Sequence, residues 1–167
     1  MVNTDVYKDE PVLTVTPDGD KRWYLNGELH RLDGPAVEYS IGIKSWFQHG
    51  KLHREDGPAV EYPNGSKEWY IDGKLHRTDS PAVEYCDGTK EWYIDGELHR
   101  DDGPAIERPD GTKEWYQRGR LHRNDGPAIE GADGDKWWYR YGKLYQVDHN
   151  DLLFENGLLY RAPVSPK

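Results

Sequence analysis

Apolar and aromatic positions in this chain fall in short runs, and helical spacing is absent. Residues 67–71 and 82–85 are rich in aromatic and β-branched side chains, and Asn64-Gly65 and Asp87-Gly88 stand beside them. Such runs next to Asn-Gly or Asp-Gly predict β-strands joined by tight hairpin turns. No apolar period of 3.6 residues continues for even ten residues, and Gly and Pro interrupt the chain throughout. The pattern therefore predicts an all-β fold.

The same pattern returns every 23 residues. The tripeptide Leu-His-Arg occurs five times, beginning at Leu29, Leu52, Leu75, Leu98 and Leu121. A fixed period of this length is typical of a repeat protein, in which each unit contacts only its neighbours. We predict an elongated single-layer antiparallel meander of about six β-hairpin repeats with caps at both ends. Its parts would be residues 1–16 as an N-terminal cap strand, 17–145 as the repeat array, and 146–167 as a C-terminal apolar hairpin and tail.

A two-residue turn at Asn64-Gly65 fixes the predicted register. It would pair Glu61 with Glu68 and Val60 with Trp69. The Trp ladder would then share one face with Val60, while a Tyr/Phe ladder would share the other face with the acids. The resulting acidic row consists of Glu61, Glu68, Glu84, Glu91, Glu107 and Glu114. Like charges directly opposite one another cost stability, so the loop arginines are expected to compensate them.

The two ends differ from the repeats. Residues 12–16 form a predicted half-repeat strand that caps the first unit, with Leu13 and Val15 on the acidic face. The C-terminal end is a predicted Asn156-Gly157 hairpin and the most apolar stretch of the chain. Its large apolar residues are Leu152, Leu153, Phe154, Leu158, Leu159 and Tyr160. We expect them either to hide the last sheet edge, because exposed edges aggregate, or to form a homodimer or partner contact.

The charge composition of the chain limits the classes of partner that it is expected to bind. The 167 residues include 31 acids and 22 Lys or Arg, which gives a formal charge of −9. Nucleic acids and anionic membranes attract basic surfaces, so we expect neither as a direct partner. A single cysteine, Cys86, excludes an internal disulfide and fits a reducing compartment. Residues 1–15 have no apolar core of signal-peptide length, and a cytoplasmic location is expected.

The repeated histidines and arginines favour structure over chemistry. Adjacent repeats are predicted to lie about 9.5 Å apart, while zinc needs its ligand atoms about 2.0–2.1 Å from one ion. We therefore predict no metal site and no cofactor, and no catalytic residue stands out. Each loop Arg lies two residues before an Asp, which predicts an Arg–carboxylate fork. The loop histidines are expected to bond loop carbonyls and the loop Asp.

One family resemblance rests on these motifs. The segment 69–76, Trp-Tyr-Ile-Asp-Gly-Lys-Leu-His, followed by Tyr85-Cys86-Asp87-Gly88, resembles the MORN repeat, and the resemblance covers residues 17–145. It is strongest to a variant with Leu-His-Arg-x-Asp-Gly-Pro-Ala that recurs in bacterial, phage and giant-virus proteins. The resemblance implies a β-sheet used as a protein-binding scaffold or dimeriser, without a catalytic mechanism.

The expected function is non-enzymatic protein binding. A phage or bacterial protein that binds a host protein machine and inhibits or modulates it would fit the resemblance, with the host cytoplasm as its location. Exposed aromatic side chains are frequent binding hot spots. The candidate aromatic residues are Trp46, Trp69, Trp92, Trp115, Tyr70, Tyr93 and Tyr116. The alternative is an acidic decoy that mimics nucleic acid, whose binding would weaken steeply with salt.

Overall fold

The computed structural model describes residues 10–149, 152–155 and 158–161, with side chains for residues 10–148. All regular elements in these residues are β-strands, and their pairings are antiparallel. The prediction of an all-β antiparallel meander of hairpin repeats is therefore confirmed. The described residues contain no helix that is long and apolar enough to cross a membrane.

The chain forms two compact units. Unit 1 comprises Met1–Arg77 and Ala82–Cys86, and unit 2 comprises Thr78–Pro81 and Asp87–Lys167. The strands of unit 1 are β1 (Val12–Val15), β2 (Lys21–Leu25), β3 (Glu28–Leu29), β4 (Val37–Glu38), β5 (Lys44–Ser45), β6 (Phe47–Gln48), β7 (Lys51–Leu52), β8 (Val60–Glu61), β9 (Lys67–Glu68), β10 (Tyr70–Ile71), β11 (Lys74–Leu75) and β12 (Val83–Glu84). Its main sheet has the order β1-β2-β4-β5-β8-β9-β12, and β6-β7 and β10-β11 form separate two-stranded sheets.

Unit 2 repeats this arrangement. Its strands are β13 (Lys90–Glu91), β14 (Tyr93–Ile94), β15 (Glu97–Leu98), β16 (Ile106–Glu107), β17 (Lys113–Glu114), β18 (Tyr116–Gln117), β19 (Arg120–Leu121), β20 (Ile129–Glu130), β21 (Lys136–Arg140), β22 (Lys143–His149), β23 (Leu152–Glu155) and β24 (Leu158–Arg161). The main sheet has the order β13-β16-β17-β20-β21-β22-β23-β24, and β14-β15 and β18-β19 form separate two-stranded sheets.

Each repeat contains two hairpins, where the sequence predicted one hairpin and a long loop. The predicted strand 67–71 is interrupted at Trp69, whose N–H donates to the carbonyl of Ala82 at 2.8 Å. Beyond it, β10 and β11 pair across the Asp72-Gly73 turn, where both residues have positive φ, 50° and 80°. Two consecutive residues in this conformation form the I′ turn that Asp-Gly favours. The local turn signal thus creates a second, smaller hairpin.

The predicted register is wrong by one residue, because the first turn is longer than expected. The Tyr62 N–H donates to the Ser66 carbonyl at 3.0 Å, so the loop between them is residues 63–65. Gly65 closes it at φ 92°, as in a three-residue turn with a glycine bulge. In consequence Glu61 pairs with Lys67 and Val60 with Glu68. The expected Glu–Glu oppositions do not occur.

The corrected register redistributes the side chains between the faces, since paired residues point to the same side. The tryptophan face carries Glu61, Lys67 and Trp69, and the tyrosine face carries Val60 and Glu68 together with Tyr62 and Tyr70. Equivalent residues follow the same division in both units. The acidic row is therefore split, with one Glu of each predicted pair on each face.

Acids and lysines alternate along the tryptophan face. In unit 1, Glu61 lies between Lys44 and Lys67. In unit 2, Glu107 lies between Lys90 and Lys113. Opposite-charge neighbours across strands each contribute about 0.2–1 kcal/mol. The sheet thus neutralises much of its own acidic charge.

The core is thin and consists mainly of small side chains. Its fully or nearly fully buried apolar residues are Ala36, Val37, Ala59, Val60, Ala82, Val83, Ala105, Ile106, Ala128 and Val147. Nearly all belong to the Ala-Val or Ala-Ile pair that follows the loop proline. The five alanines are 0% exposed. Since these residues carry little apolar area, larger aromatic and arginine side chains must supply much of the packing.

The two ends extend the sheet. Strand β1 pairs Leu13 with Trp23 and Val15 with Lys21. These two residues therefore lie on the tryptophan face, and their predicted placement beside the Tyr/Phe ladder is wrong for the same register reason. At the other end β22 runs across the predicted boundary at residue 146, and the predicted hairpin is present as β23 and β24. The side-chain contacts of Leu152, Leu153, Phe154, Leu158, Leu159 and Tyr160 lie outside the described residues.

Candidate functional site

The loop arginines form a repeated bracket. The Arg100 guanidinium lies over the Trp92 ring at 4.1 Å. Its Nε donates to Asp102 at 2.8 Å, and its Nη1 donates to the Pro104 carbonyl at 3.2 Å and to Glu107 at 2.9 Å. The same Nε bond to the loop Asp is made by Arg31, Arg54 and Arg123. The predicted pairing of loop Arg with loop Asp is present in these loops as a single Nε bond instead of a two-bond fork, and the guanidinium also covers a tryptophan.

The loop glycine has no side chain that would collide with the arginine guanidinium. A Cβ on Gly103 would lie 2.9 Å from Arg100 Cζ, and the same distance applies to Gly57 and Gly126 with their own arginines. None of these glycines has a positive φ. The glycine is there because the arginine lies against its α-carbon.

The predicted aromatic binding residues do not form one surface. Trp46, Trp69, Trp92 and Trp115 are half-buried, and each lies under a loop arginine at 4.0–4.1 Å. Tyr70, Tyr93 and Tyr116 belong to the tyrosine face, where each hydroxyl donates to the glutamate two residues earlier at 2.9–3.0 Å. Both ladders are thus engaged in contacts within the chain.

Two tyrosines share one carboxylate on the tyrosine face of unit 1. The hydroxyls of Tyr62 and Tyr70 both donate to Glu68 at 3.0 Å. Burial, followed by the hydrogen bond to Glu68, raises the pKa of Tyr62 to about 12. Burial and the charge of Glu68 also raise the pKa of Tyr70. In unit 2 burial beside Glu114 raises the pKa of Tyr116 to about 12.

Alkaline pH is therefore expected to destabilise the fold. Unfolded tyrosines lose their protons near pH 10, while the folded ones keep theirs toward pH 12, so stability is full below pH 10 and falls above it. For each tyrosine, the free energy of unfolding should fall by less than about 1.4 kcal/mol per pH unit, because these side chains are partly exposed to solvent. Urea unfolding followed by tryptophan fluorescence between pH 8 and 11.5 measures it. Tyr70→Phe should flatten the dependence, and a stability independent of pH above 10 would contradict this account.

The loop histidines clamp the I′ turn of the following repeat. In unit 1 the Asp72 N–H donates to Nδ1 of His53 at 3.1 Å, and in unit 2 the Arg118 N–H donates to Nδ1 of His99 at 3.2 Å. The same bond joins His30 to His49 and His122 to Tyr141. The expected bonds to loop carbonyls are thus replaced by bonds to turn N–H groups, although His99 Nε2 does lie 3.2 Å from the loop residue Asp101.

A second bond completes each clamp. The N–H of Gly73 donates to the Leu52 carbonyl at 2.8 Å, and the N–H of Gly119 donates to the Leu98 carbonyl at 2.9 Å. An Nδ1 that accepts an N–H carries no proton, so the clamp needs the neutral ring. Burial lowers the pKa of His30, and the neighbouring His49 adds to this. The Leu-His pair of one repeat therefore fixes the turn of the next.

The turns, four of which carry the clamp, present side chains that differ from repeat to repeat. The first turn residue has φ between 47° and 53° in every repeat, and these residues are Asn26, His49, Asp72, Asp95, Arg118 and Tyr141. We call them the presented turn residues. Asn, Asp and His are enriched in this conformation, whereas Arg and Tyr are strained in it by about 1 kcal/mol. Sequence reasoning missed this position, although its variation beside an unchanging Gly was visible.

Each unit has a polar cleft beside these elements. In unit 2 a cleft of about 800 Å³ is lined by Glu97, His99, Asp101, Gln117, Arg118, Arg120 and Tyr141. In unit 1 a cleft of about 460 Å³ lies between the Arg31–Gly34 and His53–Asp56 loops, with Trp46 and Gln48. No group of three His, Cys, Asp or Glu side chains in the described part of the chain could hold a metal ion.

Comparison with known proteins adds no assignment. No family model matches the chain, and no curated protein matches it significantly. The features of the described residues that bear on function are the arginine brackets, the histidine clamps and the presented turn residues.

Proposed function

We propose that the protein is a non-enzymatic, MORN-like scaffold that binds a partner protein through its presented turn residues. The observation that carries this proposal is the contrast within each turn. The backbone contacts to the preceding Leu and His are the same in both units, while the presented side chain changes in charge, size and aromaticity. Fixed backbones that display variable side chains are typical of binding surfaces built on rigid elements.

Backbone strain supports the same interpretation. Arg118 and Tyr141 occupy a conformation that Asn or Gly would adopt at lower cost. Strained residues persist where their side chains serve a function. Tyr141 is 66% exposed, and the tilted ring of His122 supports it at 4.3 Å. An exposed aromatic on a rigid turn is well suited to serve as a binding hot spot.

The arrangement of charges favours a scaffold over a nucleic-acid decoy. Glu61 and Glu107 are each flanked by two lysines, and each accepts a bond from a loop arginine. DNA presents one unpaired charge per roughly 1.7 Å, which alternating acids and bases do not imitate. By analogy with the repeat variant, we propose a bacterial or phage origin, a partner in a host protein machine, and action in the cytoplasm.

Replacing two strained presented residues tests this proposal. Arg118→Asn with Tyr141→Asn removes both side chains and supplies the residue type that I′ turns prefer. We expect an unchanged or higher melting temperature, because about 1 kcal/mol of strain per site is relieved, together with loss of the partner. An affinity pull-down of the full chain from its natural host, quantified by mass spectrometry, measures partner retention.

The control is Lys113→Asn, an exposed change on the sheet that leaves the turns intact. It should keep the partner. If the double Asn variant retains the partner as well as the unmodified chain, the turns are not the binding surface and the proposed function fails in this form.

A further inference from the structure

Basic side chains concentrate near the end of the repeat array. Residues 115–145 contain six Lys or Arg and four Asp or Glu, whereas the whole chain has 22 and 31. This segment is therefore positive within an acidic protein. It includes two of the presented turn residues, Arg118 and Tyr141.

Some of these bases serve the fold, and others do not. Arg123 belongs to a bracket and donates to Asp125 and Glu130. In contrast, the other five bases are exposed and form no ion pair with any residue that the structure describes. Lys136 is one of them and lies opposite Glu130 in the sheet. The other four are Arg118, Arg120, Arg140 and Lys143. The loop arginines that stabilise the fold, by comparison, each form several contacts within the chain.

The four bases lie around Tyr141. Arg118, Arg120 and Tyr141 line the same cleft of unit 2. The Cα of Gly142 lies against Arg120, since an added Cβ would be 3.9 Å from Arg120 Cβ. Arg140 and Lys143 are register partners on β21 and β22. We call these five residues the basic turn patch: Arg118, Arg120, Arg140, Tyr141 and Lys143.

The residues of the basic turn patch lower the stability of the folded chain. Arg140 directly opposite Lys143 is a like-charge pair, which costs stability. Arg118 and Tyr141 add the strain of positive φ at 49° and 47°. At the equivalent place in unit 1 the presented residue is Asp72, followed by Gly73 and Lys74. The unpaired positive charges and the strained turn backbones therefore occur together, near the end of the repeat array.

We propose that the basic turn patch binds an acidic peptide segment of the partner protein, an inference that rests on the proposed function. Arginine forks match carboxylates in a bidentate manner, and Tyr141 offers an aromatic surface between them. Glu97 and Asp101 line the same cleft, and Glu97 lies beside the 118–120 turn, since its Cβ is 3.9 Å from the position of an added Cβ on Gly119. These acids would repel a polyphosphate strand, which is charged at every unit, whereas a peptide can place uncharged residues beside them.

A labelled hexaglutamate peptide tests the proposal directly. Fluorescence anisotropy with the full chain should show saturable binding at low salt. Arg118→Gln with Arg120→Gln should weaken it about tenfold, as expected for two charge-assisted bonds. The matched control is Lys51→Gln with Lys74→Gln, which removes the same total charge from two successive turns of unit 1, in both cases at the position equivalent to Arg120. It should change binding by less than about twofold. Circular dichroism confirms that both variants are folded.

Several outcomes would overturn the inference. They are the absence of saturable hexaglutamate binding, equal weakening in both double variants, binding of hexalysine with similar affinity, and tighter binding of hexathymidylate than of hexaglutamate. The last would assign the patch to nucleic acid. If hexaglutamate fails while Arg118→Asn with Tyr141→Asn still loses the partner in the pull-down, the scaffold proposal stands and only the acidic-segment inference falls.

Discussion

Glu107→Lys is expected to destabilise unit 2 by about 2 kcal/mol. Glu107 lies between Lys90 and Lys113 on the tryptophan face and accepts a bond from Arg100 at 2.9 Å. The substitution removes three attractions and places a fourth positive charge among three others. Because Glu107 is 37% exposed, solvent screens part of this cost, and 1 M salt should reduce it further.

The sign of this effect separates two registers. With Glu107 opposite Glu114, as the two-residue turn predicted, the same substitution would create an attractive pair and stabilise the protein. Urea unfolding followed by circular dichroism gives the change in unfolding free energy. Glu97→Lys is the comparison variant, since it makes the same charge change at an exposed position, in the cleft with Arg118 and Arg120 but outside the lysine-flanked ladder. Screening by solvent should keep its cost below about 1 kcal/mol. A gain of stability in Glu107→Lys would refute the observed register.

The fold class and the repeat length could be predicted from the sequence because they depend on features that occur in every copy. Aromatic runs beside Asn-Gly and Asp-Gly identify strands and turns locally. The Arg–Asp pair could also be predicted, since two residues of spacing place both side chains in one loop. Such features need no knowledge of how distant strands align.

The register could not be predicted, since it depends on one residue in a turn. Pro63-Asn64-Gly65 and Asn64-Gly65 are both acceptable hairpin loops, and only the hydrogen bond from Tyr62 to Ser66 decides between them. A shift of one residue moves every side chain of a strand to the other face. The expected partner of Glu61 and the expected face of Leu13 and Val15 were both wrong because their hairpins have three-residue loops, closed by Tyr62–Ser66 and Thr16–Asp20 bonds.

The candidate site could not be predicted from the recurring residues. The Trp, His and Arg of each repeat are largely engaged in contacts that hold the fold. The presented turn residues vary from repeat to repeat and therefore form no motif. Their importance follows only from the clamp, in which the His of one repeat meets the turn 19 residues later. That long-range bond leaves no local signal in the sequence.

Arg100→Ala is expected to cost about 3 kcal/mol in unit 2. Its guanidinium covers Trp92 at 4.1 Å and bonds Asp102, the Pro104 carbonyl and Glu107. Removal exposes one face of the indole, leaves the carbonyl without this donor, and leaves Glu107 with its lysine neighbours only. The core is too thin to compensate, since its nearest members are alanines such as Ala105 at 0% exposure.

Two further substitutions show whether the bracket geometry, rather than positive charge, supplies this stability. Arg120→Ala removes the same side chain from an exposed turn and should cost less than about 0.5 kcal/mol. Arg100→Lys keeps the charge but cannot stack flat on the indole while donating to three acceptors, so it should recover less than half of the loss. Urea unfolding monitored by tryptophan fluorescence compares the three. Were Arg100→Lys as stable as the unmodified chain, the planar bracket would have no special role, and charge balance within each repeat would explain the recurrence of arginine.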